Sequence, residues 1–207
     1  MDEARQMRLT LAIRIVLAAS AIVAAALGQW DTAAATAGIA IVTHLPAIIG
    51  RRYRIPLPAG FELLAVLFVF ASLFLGEVRG YYTRFWWWDA LLHTGAGFLL
   101  GILGFLLVYS LNERGLGSLQ LKPSFVALFS FTFSLALGAL WEIFEFGMDQ
   151  IFGLNMQKSG LVDTMWDLIV NVIGAGAIAL LGYGWLKTSE IDSFLERWIE
   201  RVVNVLD

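Results

Sequence analysis

No cysteine occurs among the 207 residues, which excludes disulfides, thiolate metal sites and cysteine nucleophiles. Charge is sparse as well, with 15% of residues charged against 59% apolar. A soluble domain of this length needs more charge to cover its surface, so the bilayer is the expected solvent. Phosphate-cradling glycine loops and nucleic-acid motifs are missing, and no nucleic-acid partner is expected. The net charge of -3 excludes little, because the charges are segregated along the chain.

What the chain does have is apolar runs. A span needs ~20 residues, and six can be drawn, at about 9-28, 32-50, 60-76, 86-110, 124-147 and 163-186. Breakers separate them: Pro56 and Pro58, Gly76 and Gly80, Gly115 and Gly117, then Pro123. The first run could pass for a signal peptide, but no convincing cleavage junction precedes Gln29-Trp30-Asp31 and more spans follow at once, so it reads as a retained helix. The expected fold is all-α: a transmembrane helical domain over 1-188 and a cytoplasmic amphipathic helix over 189-207. In that last segment Ile191, Phe194, Leu195, Trp198, Ile199, Val202 and Leu206 recur at helical spacing. Such a helix lies in the membrane interface or binds a partner.

Basic residues orient the bundle. Arg5, Arg8, Arg51, Arg52, Arg54, Arg114, Lys122, Lys187, Arg197 and Arg201 fall at one set of span ends, and Arg79, Arg84 and Lys158 at the other. Ten against three places both termini in the cytoplasm. Arg14, inside the first span, is expected to snorkel toward the cytoplasmic headgroups, and His44 to pair with Glu62. The run Tyr81 to Trp88 becomes an outer aromatic belt, an interfacial anchor rather than a ligand-stacking surface.

With that orientation, the remaining acids gather at one depth. Helix 4 carries Asp89 and His93 in its first turns, helix 5 carries Glu142 and Glu145 in its last, and helix 6 carries Asp163, Asp167 and Asn171. Spacings of three or four residues put each set on one face. The same faces continue inward as small residues: Gly97 and Gly101 on helix 4; Gly138, Ser134 and Ser130 on helix 5; Ala175 and Ala179, beside Gly174, on helix 6. Small residues at this spacing let membrane helices approach closely, so the polar faces should meet inside the bundle.

Eight acids stand on the outer side against three bases, and a charge at the bilayer centre costs ~2.5–3.5 kcal/mol on insertion scales. Either some acids stay protonated or a cation joins them. Carboxylates with one imidazole suit Mg²⁺, Mn²⁺, Fe²⁺ or Zn²⁺. The expected metal ligands are Asp89, His93, Glu142, Asp163 and Asp167, with Asn171 behind them and Glu145 and His93 as catalytic groups. A hydrogen-bonded cluster that only locks the helices together is the alternative. The stretch Gly147 to Val162 is long for a connection, and reads as a lid over the cluster or an ordinary surface loop.

Trp88-Asp89 with His93, then Trp141-Glu142 with Glu145, then Asp163-Thr164, Trp166-Asp167, Asn171 and Gly174 resemble the YjdF-like membrane proteins of uncharacterised function. Their order is also similar to that of the VanZ-like proteins, whose name-giving member is associated with teicoplanin resistance. The resemblance covers helices 4 to 6. It implies that these positions are the family's motifs, without implying an activity.

Three functions remain in competition. The first is a metal-dependent hydrolase or transferase acting from the outer side of a bacterial inner membrane on a lipid or lipid-linked envelope substrate. The second is a transporter or cation/proton pathway, disfavoured because no inverted repeat is evident and the inner halves of helices 4 to 6 are apolar. The third is a structural or scaffolding membrane protein that works through its C-terminal helix.

Overall fold

The structure is a computed structural model and describes residues 2–53, 59–113 and 121–188. Among these residues there is no strand. The helices are α1 (Glu3–Ala26), α2 (Trp30–Val42), α3 (Leu45–Tyr53), α4 (Ala59–Val69), α5 (Tyr81–Arg84), α6 (Trp88–Glu113), α7 (Pro123–Phe152) and α8 (Leu161–Thr188), with a π-helical turn set at Phe70–Val78 continuing α4. Six stretches are long and apolar enough to cross a membrane: Glu3–Ala26, Trp30–Arg52, Ala59–Val78, Trp88–Tyr109, Pro123–Phe152 and Leu161–Lys187. The amphipathic helix expected over 189-207 lies outside the described residues.

Local chemistry accounts for the ends. Asp2 caps α1 by accepting a hydrogen bond from the Arg5 backbone N–H at 2.7 Å. Pro123 opens α7, where a missing N–H costs nothing. Gly153, at φ 65, closes α7 in the left-handed conformation that favours glycine. The helix thus runs past Gly147, where the sequence reading ended the span. A continuous helix satisfies every backbone group internally, which in lipid outweighs the ~1 kcal/mol propensity cost of one glycine. The connection to α8 shortens accordingly to residues 153–160.

The chain divides into two compact units, which meet in sequence between Trp88 and Asp89. In the first, Leu17 of α1, Ile39 of α2 and Phe74 of the π-helical turns form a core with Ile13, Val69 and Phe70 around it. Arg14 is paired with polar groups of the neighbouring helices. Its Nη2 donates to Oε1 of Glu62 at 2.9 Å and to the Thr43 carbonyl at 2.7 Å. Glu62 therefore belongs to Arg14, and His44, read as its partner, is exposed. In the aromatic run, Tyr81 meets Phe85 and Trp88 edge-on, while Trp86 is 90% exposed, as an interfacial anchor would be.

The second unit packs α6, α7 and α8 through their small residues. Ser130 Oγ donates to the Gly101 carbonyl at 2.7 Å and Ser134 Oγ to the Gly97 carbonyl at 2.8 Å, fastening α7 to α6. The backbone of Asn171 and Ala175 on α8 presses against Gly97, and Gly174 lies against the Thr94 carbonyl. Large apolar side chains face outward instead, among them Ile143 and Phe146 of α7 and Trp166, Ile173 and Leu180 of α8. Apolar surface on this scale belongs against lipid.

Candidate metal centre

Asp89 stands in the first turn of α6, and helix periodicity places His93 directly beneath it. His93 Nε2 lies 3.6 Å from Asp89 Oδ1. Asp167, two turns into α8, brings Oδ2 to 3.9 Å from the same nitrogen. One ligand atom from each of the three residues lies within 4.8 Å of the others. At bonds of ~2.1 Å, neighbouring ligands of a tetrahedral ion stand about 3.4 Å apart. Asp89, His93 and Asp167 could therefore hold a metal ion after their most widely spaced pair closes by up to about 1.4 Å.

Glu142 approaches from the opposite side of the ring. Its Oε1 lies 3.7 Å from His93 Nδ1, and its side chain is 4% exposed. Both of its oxygens are buried without a close hydrogen-bond partner, the Thr164 side chain being a weaker, more distant one. A poorly satisfied buried carboxylate is costly, and metal-bound histidines ordinarily use their second nitrogen on such a group. The donor set and the poorly satisfied Glu142 thus both fit a divalent cation at Nε2.

The other expected residues fall around this triad. Glu145 is buried one turn from Glu142 toward the C-terminal end of α7. Asp163 lies one turn before Asp167 on α8. Neither joins the three-residue group, yet both contribute to the field at Asp167, together with Asp89 and Glu142. Asn171 is 2% exposed and fills the notch left by two glycines, its Nδ2 against Gly138 and its Oδ1 against Gly97. It forms the floor beneath Asp167.

Lys158, a basic residue of the α7–α8 loop, reaches the same centre. Its Nζ lies 2.5 Å from Asp89 Oδ2. The loop that carries it is pinned: Asp149 accepts the Met156 N–H at 2.7 Å and the Gln157 N–H at 2.9 Å, and the Gln157 side chain donates to Thr164 Oγ1 at 2.7 Å. A basic residue in a short loop above five acids was the signal available.

Residues 5–188 match a family described as "Predicted membrane protein (DUF2238)". An uncharacterised protein of Thermotoga maritima is 29% identical over 127 residues, covering 61% of this chain. The match spans 64% of that relative's length. No solved structure matches the chain. The likeness to VanZ-like proteins receives no support from these matches.

Proposed function

The chain belongs to the DUF2238 family of predicted membrane proteins, and from that premise we propose that its Asp89–His93–Asp167 centre binds a divalent metal ion and serves a hydrolase or transferase. DUF2238 is the YjdF family, which accords with the resemblance carried by the three motifs. The observation that carries the proposal is the convergence of three ligand atoms within 4.8 Å in front of a histidine whose far nitrogen faces a buried carboxylate.

In this reading the protein sits in a bacterial inner membrane with both termini cytoplasmic and the centre toward the outer side. The ten-to-three bias of basic residues supports that orientation. A lipid or lipid-linked envelope precursor is then the substrate within reach. Asp89 and Asp167 supply anionic oxygens and His93 its Nε2, which suits Mg²⁺, Mn²⁺, Fe²⁺ or Zn²⁺. An ion held there would polarise a phosphoryl or acyl oxygen and activate water. Glu142 orients the imidazole from behind. Glu145, outside the ligand triad but within the field of Asp89, would take the proton of the attacking water. Asn171 keeps α8 at a fixed depth against α6 and α7.

The packing beneath the centre favours a site at one end over a path across. Gly97, Gly101 and Gly104 of α6 are closed by Asn171, Ile178 and Phe133 respectively, and Gly182 of α8 by Phe105. Metal analysis of purified protein is the test. Stoichiometric Mn²⁺, Fe²⁺ or Zn²⁺ that is lost in Asp167→Asn supports the proposal. Protein that folds identically and binds none of these ions ends it.

A further inference from the structure

Asp89 is shared. One of its oxygens, Oδ1, faces His93 Nε2 at 3.6 Å, and the other, Oδ2, lies 2.5 Å from the Lys158 ammonium. The two partners differ in how they are held. His93 is fixed on α6, with a side chain 14% exposed. Lys158 reaches in from the α7–α8 loop, with a side chain 36% exposed, so its ammonium has water on one side. The loop backbone beneath it is anchored by the Asp149 carboxylate, and its own N–H faces Asp163. The main chain therefore stays in place while a flexible four-carbon stem carries the charge.

We propose that Lys158 is a resident counter-ion of the centre, and that a divalent cation and the Lys158 ammonium are alternative partners of Asp89. The inference rests on the metal reading given above. Five acids, Asp89, Glu142, Glu145, Asp163 and Asp167, converge here, and without a cation their mutual repulsion would loosen α6, α7 and α8. The ammonium offsets part of that charge. A dication on Asp89 and Asp167 supplies two positive charges to the same carboxylates. It then repels a third positive charge across a single carboxylate group. The His93 ring is packed among the helices, with a side chain 14% exposed, whereas the longer and more exposed Lys158 loses little by turning away, because a partly exposed ion pair is weak. Occupancy of the centre is thereby transmitted to the head of the outer loop, and the lysine lowers the affinity that the ligands alone would have.

The chain contains three lysines, so reductive methylation read by mass spectrometry can follow Lys158 with Lys122 and Lys187 as internal references. In detergent-purified full-length protein, saturating Mn²⁺ should raise the methylation rate of Lys158 several-fold relative to the references. Lys158→Gln should bind Mn²⁺ roughly three- to fivefold more tightly, matching the strength of a partly exposed ion pair, and Lys158→Arg should keep the parental affinity. Asp89→Asn should raise the methylation rate of Lys158 with no metal added. Unchanged Lys158 reactivity in Mn²⁺-loaded protein, or weaker Mn²⁺ binding by a folded Lys158→Gln, overturns the proposal and leaves the metal centre standing. If the parent protein binds no Mn²⁺ while Asp89→Asn still raises the methylation rate of Lys158, the metal centre has failed and the exchange falls with it.

Discussion

The His93 ring holds its Nδ1 atom 3.7 Å from Oε1 of Glu142. With Asp89 and Asp167 both facing Nε2, the imidazole stands between two carboxylates on one side and a third, fully buried, on the other. In the proposed centre, with the metal at Nε2, Glu142 would act as a positioning residue. A carboxylate at Nδ1 favours the tautomer that leaves Nε2 free to ligate, and raises the basicity of the ring.

Glu142→Gln tests this directly. The amide preserves the volume of the side chain but removes its charge. Metal affinity should fall about 10- to 100-fold, the usual effect of losing such a partner, with the fold unchanged by circular dichroism. Asp167→Asn removes a ligand and should cost more. Isothermal titration of Mn²⁺ or Zn²⁺ into the two variants separates the roles, and equal losses would place Glu142 among the ligands.

The first unit carries its own test of buried charge. Arg14 and Glu62 are 18% and 26% exposed and 2.9 Å apart. Removing one partner leaves the other charged in an apolar surround, while removing both relieves it. Arg14→Met should destabilise by about 1–3 kcal/mol, less than a fully buried pair because both groups retain some exposure. Arg14→Met combined with Glu62→Leu should recover most of the loss. Thermal unfolding in detergent reads the cycle, and a double variant as unstable as the single one would show that Thr43 supplies the essential contact.

Much of the site could be read without coordinates because each polar set lies on a single helix face. Asp89 with His93, and Asp163 with Asp167 and Asn171, need only helical periodicity, and the small residues inward of them mark the buried side. Periodicity does not reveal how far one helix rotates against the next. Hence spacing treats Glu142, Asp163 and Asp167 alike, whereas in the structure Asp167 faces Nε2 with Asp89 and Glu142 faces Nδ1. The same limit gave Glu62 to His44, when Arg14 reaches it across 48 residues of sequence. Loop contacts are harder still: Lys158 and Asp89 are 69 residues apart, and nothing periodic links them.

Because the chain has no cysteine, its topology can be mapped without a background. Ser159→Cys, in the α7–α8 loop, should react with a membrane-impermeant maleimide added to intact spheroplasts. Asp2→Cys and Lys122→Cys should react only after permeabilisation. Labelling of Asp2→Cys from outside would reverse the orientation and place the acidic centre on the cytoplasmic side.

Two glycines of α7 differ sharply in what surrounds them, and that contrast tests the role of Asn171. A Cβ on Gly138 would coincide with the Asn171 amide, whereas a Cβ on Gly147 meets nothing within 4 Å. Gly147→Ala therefore gains helix propensity without a clash, and should stabilise by up to about 0.5–1 kcal/mol. Gly138→Ala must push α7 away from α8 or displace the amide into apolar packing. Overpacking of this kind costs about 1–3 kcal/mol. Since Asn171 lies one turn below Asp167, the shift should also spread the ligand atoms and weaken metal binding. Thermal melting and metal titration of both variants give the comparison. Gly138→Ala with normal stability and normal metal affinity would show that Asn171 is not the floor of the centre.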